Sequence, residues 1–140
     1  MRILFDTNVI LDFIVERPPF SSSAEKAIEL CMGNGIQSCI AAHTISNLFY
    51  ILRKDVAVDD RRRMLLRLCQ IFTVIGIDVD KLKSALNNSG FKDFEDCLHA
   101  ECAVDFKADY IVTRNIKDFI NSAIPSIEPD ELIKRLSAQQ

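Results

Sequence analysis

Ile3-Leu4-Phe5-Asp6-Thr7-Asn8-Val9-Ile10 is the stretch on which the fold turns. Ile3-Leu4-Phe5 is a short apolar run of the kind that forms a strand buried in a parallel sheet. Beyond it, Val9, Ile10, Phe13 and Ile14 recur at helical spacing, which predicts a helix starting at once. Asp6 then stands at the carboxyl end of a first strand, where the chain turns into that helix. In open α/β sheets ligands bind at this edge. A carboxylate there, beside the free N–H groups of a helix start, is placed to hold a metal ion. Asp, Thr and Asn are also good N-caps, so this stretch alone supports capping as well as chemistry.

Outward from this stretch, helical and strand-like segments alternate. Arg17-Pro18-Pro19 stops the first helix, because proline cannot continue one. Ser21 to Ser23 offer an N-cap to a second helix with Ala24, Ala27, Ile28 and Cys31 on one face, ended by Gly33-Asn34-Gly35. Ile36 to Ala41 reads as a second strand, and Thr44 to Arg53 as a helix with Ile45, Leu48, Phe49, Ile51 and Leu52 apolar. After a break over Asp55 to Asp60, Arg61 to Ile71 reads as a helix. Met64, Leu65, Leu68 and Ile71 face inward, and Arg61, Arg62, Arg63 and Arg67 are available outward. Phe72 to Ile77 is a third strand, and Asp78-Val79-Asp80 caps the helix that follows. Phe91 to Phe106 contains a helix rich in small residues, Cys97, Ala100, Cys102 and Ala103, which suits close packing on a sheet. Tyr110-Ile111-Val112 is a fourth strand, and the tail holds an apolar stretch near Ile124 to Ile127 and a last helix from Asp130 to Leu136. This alternation predicts one domain over residues 1–140. Its fold is a three-layer α/β/α arrangement with a central parallel sheet.

The totals exclude several classes. A 49% hydrophobic and 26% charged chain is ordinary for a globular protein. A formal net charge of −3 gives no global attraction to nucleic acid or anionic lipid, so polynucleotide binding needs a local basic patch. Five cysteines without Cys-x-x-Cys spacing read as reduced core thiols and predict a cytoplasmic setting. No signal-peptide pattern or bilayer-length apolar run is present, so no membrane association is expected. Walker and Gly-x-Gly-x-x-Gly loops are lacking. A haloacid-dehalogenase-type site would want Asp-x-Asp after the first strand, where position 8 is Asn.

With right-handed crossovers the carboxyl ends of all parallel strands share one edge. Asp6, the run Asp93-Phe94-Glu95-Asp96 and the segment Asn115 to Asp118 then converge there. Carboxylates gathered at one point repel unless a cation is present. Mg²⁺ and Mn²⁺ prefer such hard oxygen ligands, and one or two of them support phosphodiester hydrolysis. Singly, each acid also reads as a solvated residue of a helix's first turn.

Three segments taken in order resemble the signature segments of PIN-domain ribonucleases. They are Phe5-Asp6-Thr7-Asn8-Val9-Ile10, Asp93-Phe94-Glu95-Asp96 and Thr113-Arg114-Asn115-Ile116-Lys117-Asp118-Phe119. The chain looks most like small bacterial PIN proteins of the VapC toxin type. The resemblance implies Mg²⁺- or Mn²⁺-dependent cleavage of single-stranded RNA, an antitoxin partner and a homodimer. It implies Asp6, Asp96 and Asp118 as catalytic metal ligands, Asn8 as a hydrogen-bonding brace, and Thr113 and Asn115 as residues shaping the last loop. Glu95 and Asp93 are further acids beside Asp96, and Arg114 is placed to meet phosphate. One departure stands out: the family usually carries a Glu where this chain has Asn47. Asn47 brings a carbonyl oxygen but no charge. It keeps a second reading open, a weakly active or inactive PIN-like protein-binding module. His99 reads as a half-exposed helix histidine, and His43, near the end of the second strand, takes an equally plain reading.

Overall fold

The computed structural model describes residues 1–140. Five short strands, β1 (Arg2–Phe5), β2 (Gln37–Ala41), β3 (Thr73–Ile75), β4 (Tyr110–Val112) and β5 (Ser126–Ile127), form one sheet in the order β3-β2-β1-β4-β5. Every pairing is parallel. β1 is the centre, and the strand order reverses there: β2 and β3 build outward on one side, β4 and β5 on the other. That reversal opens a crevice beyond the carboxyl ends of β1 and β4, the place where such sheets bind ligands.

The two-residue period of the strands sorts their side chains into two cores. Ile3, Phe5, Ile40, Val112 and Ile127 face one way and meet α1 (Thr7–Val15), α2 (Ser21–Gly33), α3 (Ala42–Ile51), α4 (Val58–Ile71) and α7 (Pro129–Ala138). Leu4, Cys39, Ala41 and Ile111 face the other way and meet α6 (Phe94–Phe106), on which α5 (Val79–Leu86) packs. The result is the three-layer α/β/α fold. The α6 contacts are Ala100, Cys102 and Ala103, all buried; their small size lets the helix lie close to the sheet. No helix is long and apolar enough to cross a membrane.

Several local expectations are corrected. The apolar stretch near Ile124 to Ile127 contains a fifth strand, Ser126–Ile127, paired to β4. The serine run does not cap α2: Phe20 is the cap and Ser21 the first helical residue. The fourth helix starts at Val58, inside the stretch read as a break, because Asp59 and Asp60 occupy its first turn, where acids oppose the helix dipole favourably. Arg61 is not free on the outer face. Its guanidinium donates to the Val56 and Phe49 carbonyls at 3.0 and 2.8 Å and lies over the Phe49 ring.

Candidate active site

The ladder of β1 extends one residue past the strand, with the Asp6 N–H donating to the Val112 carbonyl at 3.0 Å. Asp6 is the N-cap of α1, and its Oδ1 accepts from the Thr7 N–H at 2.7 Å. Its Oδ2 accepts from the Thr113 hydroxyl at 2.7 Å. Thr113 follows β4, the neighbouring strand, and its Oγ1 in turn accepts from the Asn115 N–H at 3.0 Å. The two strand ends at the crevice are thus joined through one carboxylate. Capping and site geometry coincide at Asp6, so the two readings of this residue are not alternatives.

α6 runs antiparallel to the strands, which brings its start to the same edge. Asp93 caps it, accepting from the Glu95 and Asp96 N–H groups at 2.7 and 3.2 Å. α3, entered from β2, contributes Asn47, whose Nδ2 donates to Glu95 Oε2 at 3.2 Å. Asp6, Thr7, Asn8, Leu11, Asn47, Tyr50, Ile51, Asp93, Glu95, Asp96, His99, Asn115 and Asp118 line one cleft of about 450 Å³. Five of these are carboxylates, and no lysine or arginine is among the lining residues.

Burial comes first in the electrostatics of these acids, and their mutual charge second. Burial raises the Asp6 carboxyl above its ordinary range, against the lowering effect of its hydrogen bonds to Thr113 and Thr7. Asp96 is pushed up to about 7, first by burial and then by the negative charges of Asp6, Asp93, Asp118 and Glu95. Asn8 Oδ1 is buried without a hydrogen-bond donor; the expected bracing bonds from Asn8 to the acids are not made. An all-oxygen set of repelling carboxylates with an unsatisfied amide oxygen beside it fits a hard divalent cation. No three Asp, Glu, His or Cys side chains meet closely enough to form a complete ligand group by themselves.

Two residues differ from expectation. Arg114 is not among the residues that line the cleft. It grips the buried Asp12 on α1, with Nε 2.5 Å from Oδ2 and Nη2 3.3 Å from Oδ1, and lies over the Phe20 ring. His99 is buried rather than half-exposed. Its Nε2 is hydrogen-bonded to Thr7 Oγ1 at 3.1 Å and lies 3.2 Å from Asp6 Oδ1. Thr7 Oγ1 is also bonded to Thr44 Oγ1 at 2.8 Å. The His43 ring packs against that of His99 at a tilt of 46°, with centroids 4.3 Å apart. Burial lowers both imidazoles to about 4, helped for His43 by its neighbour, so both rings are neutral near pH 7. Sequence reasoning missed this relay of Asp6, His99, Thr7 and Thr44. The one available signal was the spacing of His99 three residues after Asp96.

Comparison with known proteins now adds to the geometry. A family model described as PIN domain matches residues 2–117. The chain belongs to the PIN-domain family. Solved structures share this PIN fold along almost their whole length. VapBC2 from Rickettsia felis, bound to a DNA fragment from its promoter, aligns at a TM-score of 0.69 with 21% identity, covering 91% of this chain and 98% of that one. A toxin-antitoxin complex from Klebsiella pneumoniae gives 0.68 and 24%, covering 91% and 97%. VapBC-1 from nontypeable Haemophilus influenzae gives 0.65 and 17%, covering 93% and 99%. A search of curated protein sequences finds no match.

Proposed function

We propose that this PIN domain is a metal-dependent endoribonuclease acting on single-stranded RNA in the cytoplasm. The single observation that carries the reading is that Asp6, Asp96 and Asp118, from three separate parts of the chain, line one cleft with no lysine or arginine in its lining. Such a charge arrangement is costly unless a cation offsets it. Asp6, Asp96 and Asp118 would hold Mg²⁺ or Mn²⁺, keeping part of the ion's water shell. Bound there, the ion supplies water activation and charge neutralisation at a phosphodiester.

The chain's own residues prepare that chemistry. Thr113 and the Thr7 N–H fix both oxygens of Asp6. Asp93 orders the first turn of α6 and so the direction of Asp96. Asn115 holds the last loop through Thr113. Asn8 offers an acceptor oxygen that no protein group uses. Asn47 donates to Glu95; in this reading Glu95 supplies from α6 the charge that the family usually places on α3. By likeness to the toxin-antitoxin complexes, residues 1–140 act as one toxin domain with an antitoxin partner; the homodimer is what the resemblance to small PIN proteins implies.

Asn47 also favours a second reading, a PIN-like module acting through protein contacts without cleavage. Incubation of wild type, Asp6→Asn and Asn47→Glu with single-stranded and structured RNAs in Mn²⁺, Mg²⁺ or EDTA separates the two. The expected result is cutting by wild type that needs metal and disappears in Asp6→Asn. Cutting by neither wild type nor Asn47→Glu on any RNA overturns the nuclease reading and leaves the module.

A further inference from the structure

One feature of the cleft is not used by the carboxylate chemistry. Asn47, Tyr50 and Ile51 lie one turn apart on α3 and all line it. Tyr50 and the buried His99 carry the aromatic rings among the lining groups, and of the two only Tyr50 is open to solvent, at 64% exposure. The ring is not loose. The Arg53 guanidinium lies 3.7 Å from its centroid, and Arg53 Nη1 donates to the Tyr50 carbonyl at 2.8 Å. A cation stacked on an aromatic face is attracted by the ring quadrupole, and the hydrogen bond back to the same residue fixes the pair as a unit. The result is a flat, pre-ordered surface with positive charge behind it, at the rim of a cleft lined by acids.

We propose that Tyr50, backed by Arg53, is a stacking subsite for an unpaired nucleobase of the substrate. This rests on the nuclease reading and adds to it a source of strand selectivity. A polyanion approaching five carboxylates gains nothing from the lining itself, so binding energy has to come from contacts that do not depend on anionic groups. Base–aromatic stacking is such a contact, and it tolerates any base because each has a π-face. Bases inside a duplex are already stacked on one another and present only their edges, whereas single-stranded nucleotides can splay a base onto a side chain. With a phosphodiester at the acids, Tyr50 would take a base of an adjoining nucleotide, and Arg53 would lie close to the backbone running past it. The other use of an exposed tyrosine is a protein interface. The guanidinium stacking and the position among the acids favour the nucleobase.

The experiment is done in an Asp6→Asn background, which does not cut in the preceding reading, with Mg²⁺ present. Fluorescence anisotropy compares a labelled single-stranded RNA dodecamer with an abasic strand of the same length and charge. The abasic control isolates stacking from charge. The bearing strand is expected to bind about tenfold tighter than the abasic one. In Tyr50→Leu that preference should fall to about one, and in Tyr50→Phe, which keeps the ring, it should stay within about twofold of the parent. The chain has no tryptophan and two tyrosines, and the hydroxyl of Tyr110 is held by Arg135. Tyrosine emission is therefore expected to be quenched by the bearing strand in the parent and not in Tyr50→Leu. An unchanged preference in Tyr50→Leu overturns the subsite, and wild-type cleavage in parallel then shows the nuclease reading intact. Absence of both RNA binding and wild-type cleavage overturns the two together. A smaller oligomer for Tyr50→Leu than for its parent in size-exclusion chromatography with light scattering overturns the subsite and assigns the ring to a protein interface.

Discussion

Asp6 and Asp12 stand at the two ends of the same helix, both buried, with 4% and 1% exposure, and their surroundings are opposite. Asp12 is neutralised. Arg114 reaches it through two nitrogens and Arg17 through a third at 3.3 Å. Asp6 is hydrogen-bonded only to neutral groups, the Thr7 N–H and the Thr113 hydroxyl, with a neutral imidazole beside it; Arg114 acts on it only from a distance, and less than burial or those hydrogen bonds do. A buried carboxylate that exists for stability is paired, because an unpaired one costs several kcal/mol. One left with hydrogen bonds and no ion pair of its own is costly to the free protein, which fits the cation-binding role proposed for Asp6. The two aspartates therefore separate the roles that a buried acid can play, on one helix and with one residue type.

The contrast predicts opposite consequences of the same substitution. Asp6→Asn should lower metal-dependent RNA cleavage by more than about 100-fold, the upper end of what residues that only support a ligand contribute. Its urea midpoint should stay level or rise, since the amide carries no buried charge. Asp12→Asn should do the reverse. Removing the anion leaves Arg114 and Arg17 without their partner and should cost about 3 kcal/mol in urea unfolding. Specific activity of the folded fraction should fall far less than in Asp6→Asn. Loss of stability in Asp6→Asn equal to that in Asp12→Asn would sink the distinction.

The molecule was unevenly legible from its residues. β1, β2, β4 and the helix after Asp6 follow from short apolar runs and helical spacing, and the parallel sheet follows from their alternation. β5 is two residues long, too short for any period to register. The Asp12–Arg114 pair joins residues far apart in the chain, and Asp12 alone reads as an interruption of an apolar face. The burial of His99 was hidden for another reason. α6 is buried nearly all round, with Cys97, Leu98, Ala100, Cys102 and Ala103 enclosed. A helix without an amphipathic stripe does not announce which way any one residue points. The acids were easier to place because their positions at strand ends and helix starts follow from topology, while the orientation of Arg114 depended on a partner that topology does not name.

His99 sharpens the contrast from the neutral side. In place of the guanidinium that Asp12 has, Asp6 has an imidazole bonded to Thr7, which is bonded to Thr44 on α3. The ring ties three elements of the cleft wall without supplying positive charge. His99→Leu should weaken cleavage by about 10-fold, in the range for residues that orient a ligand. His99→Gln, which can keep one polar contact to Thr7, should recover part of that loss. The split matters: a raised Mn²⁺ requirement with maximal rate preserved is the expected signature of a misplaced Asp6. A fall in thermal stability with no change in metal requirement would make His99 a packing residue only.

The smallest effect concerns the free energy stored in the acids. Asp96 in the folded protein holds its proton up to about pH 7, whereas its ordinary value is 3.8. Between these pH values the folded state binds more protons than the unfolded one, so raising the pH through this interval removes stability. The two histidines act in the opposite sense. Their folded values near 4 lie below the ordinary 6.5, and they add stability as pH rises to about 6.5. Asp6, whose carboxyl burial also raises, acts in the same sense as Asp96, so the acids and the histidines oppose each other in wild type. Asp96→Asn removes one of these acids. Its melting temperature should exceed that of wild type by a margin that grows from pH 4 to pH 7 and then levels. Saturating Mn²⁺ should close the margin by binding wild type preferentially, since a ligand for the native state raises its stability. A margin that is constant with pH would mean that Asp96 is not charged against its neighbours in the folded protein. The cleft would then lack the repulsion that sets Asp6 apart from Asp12.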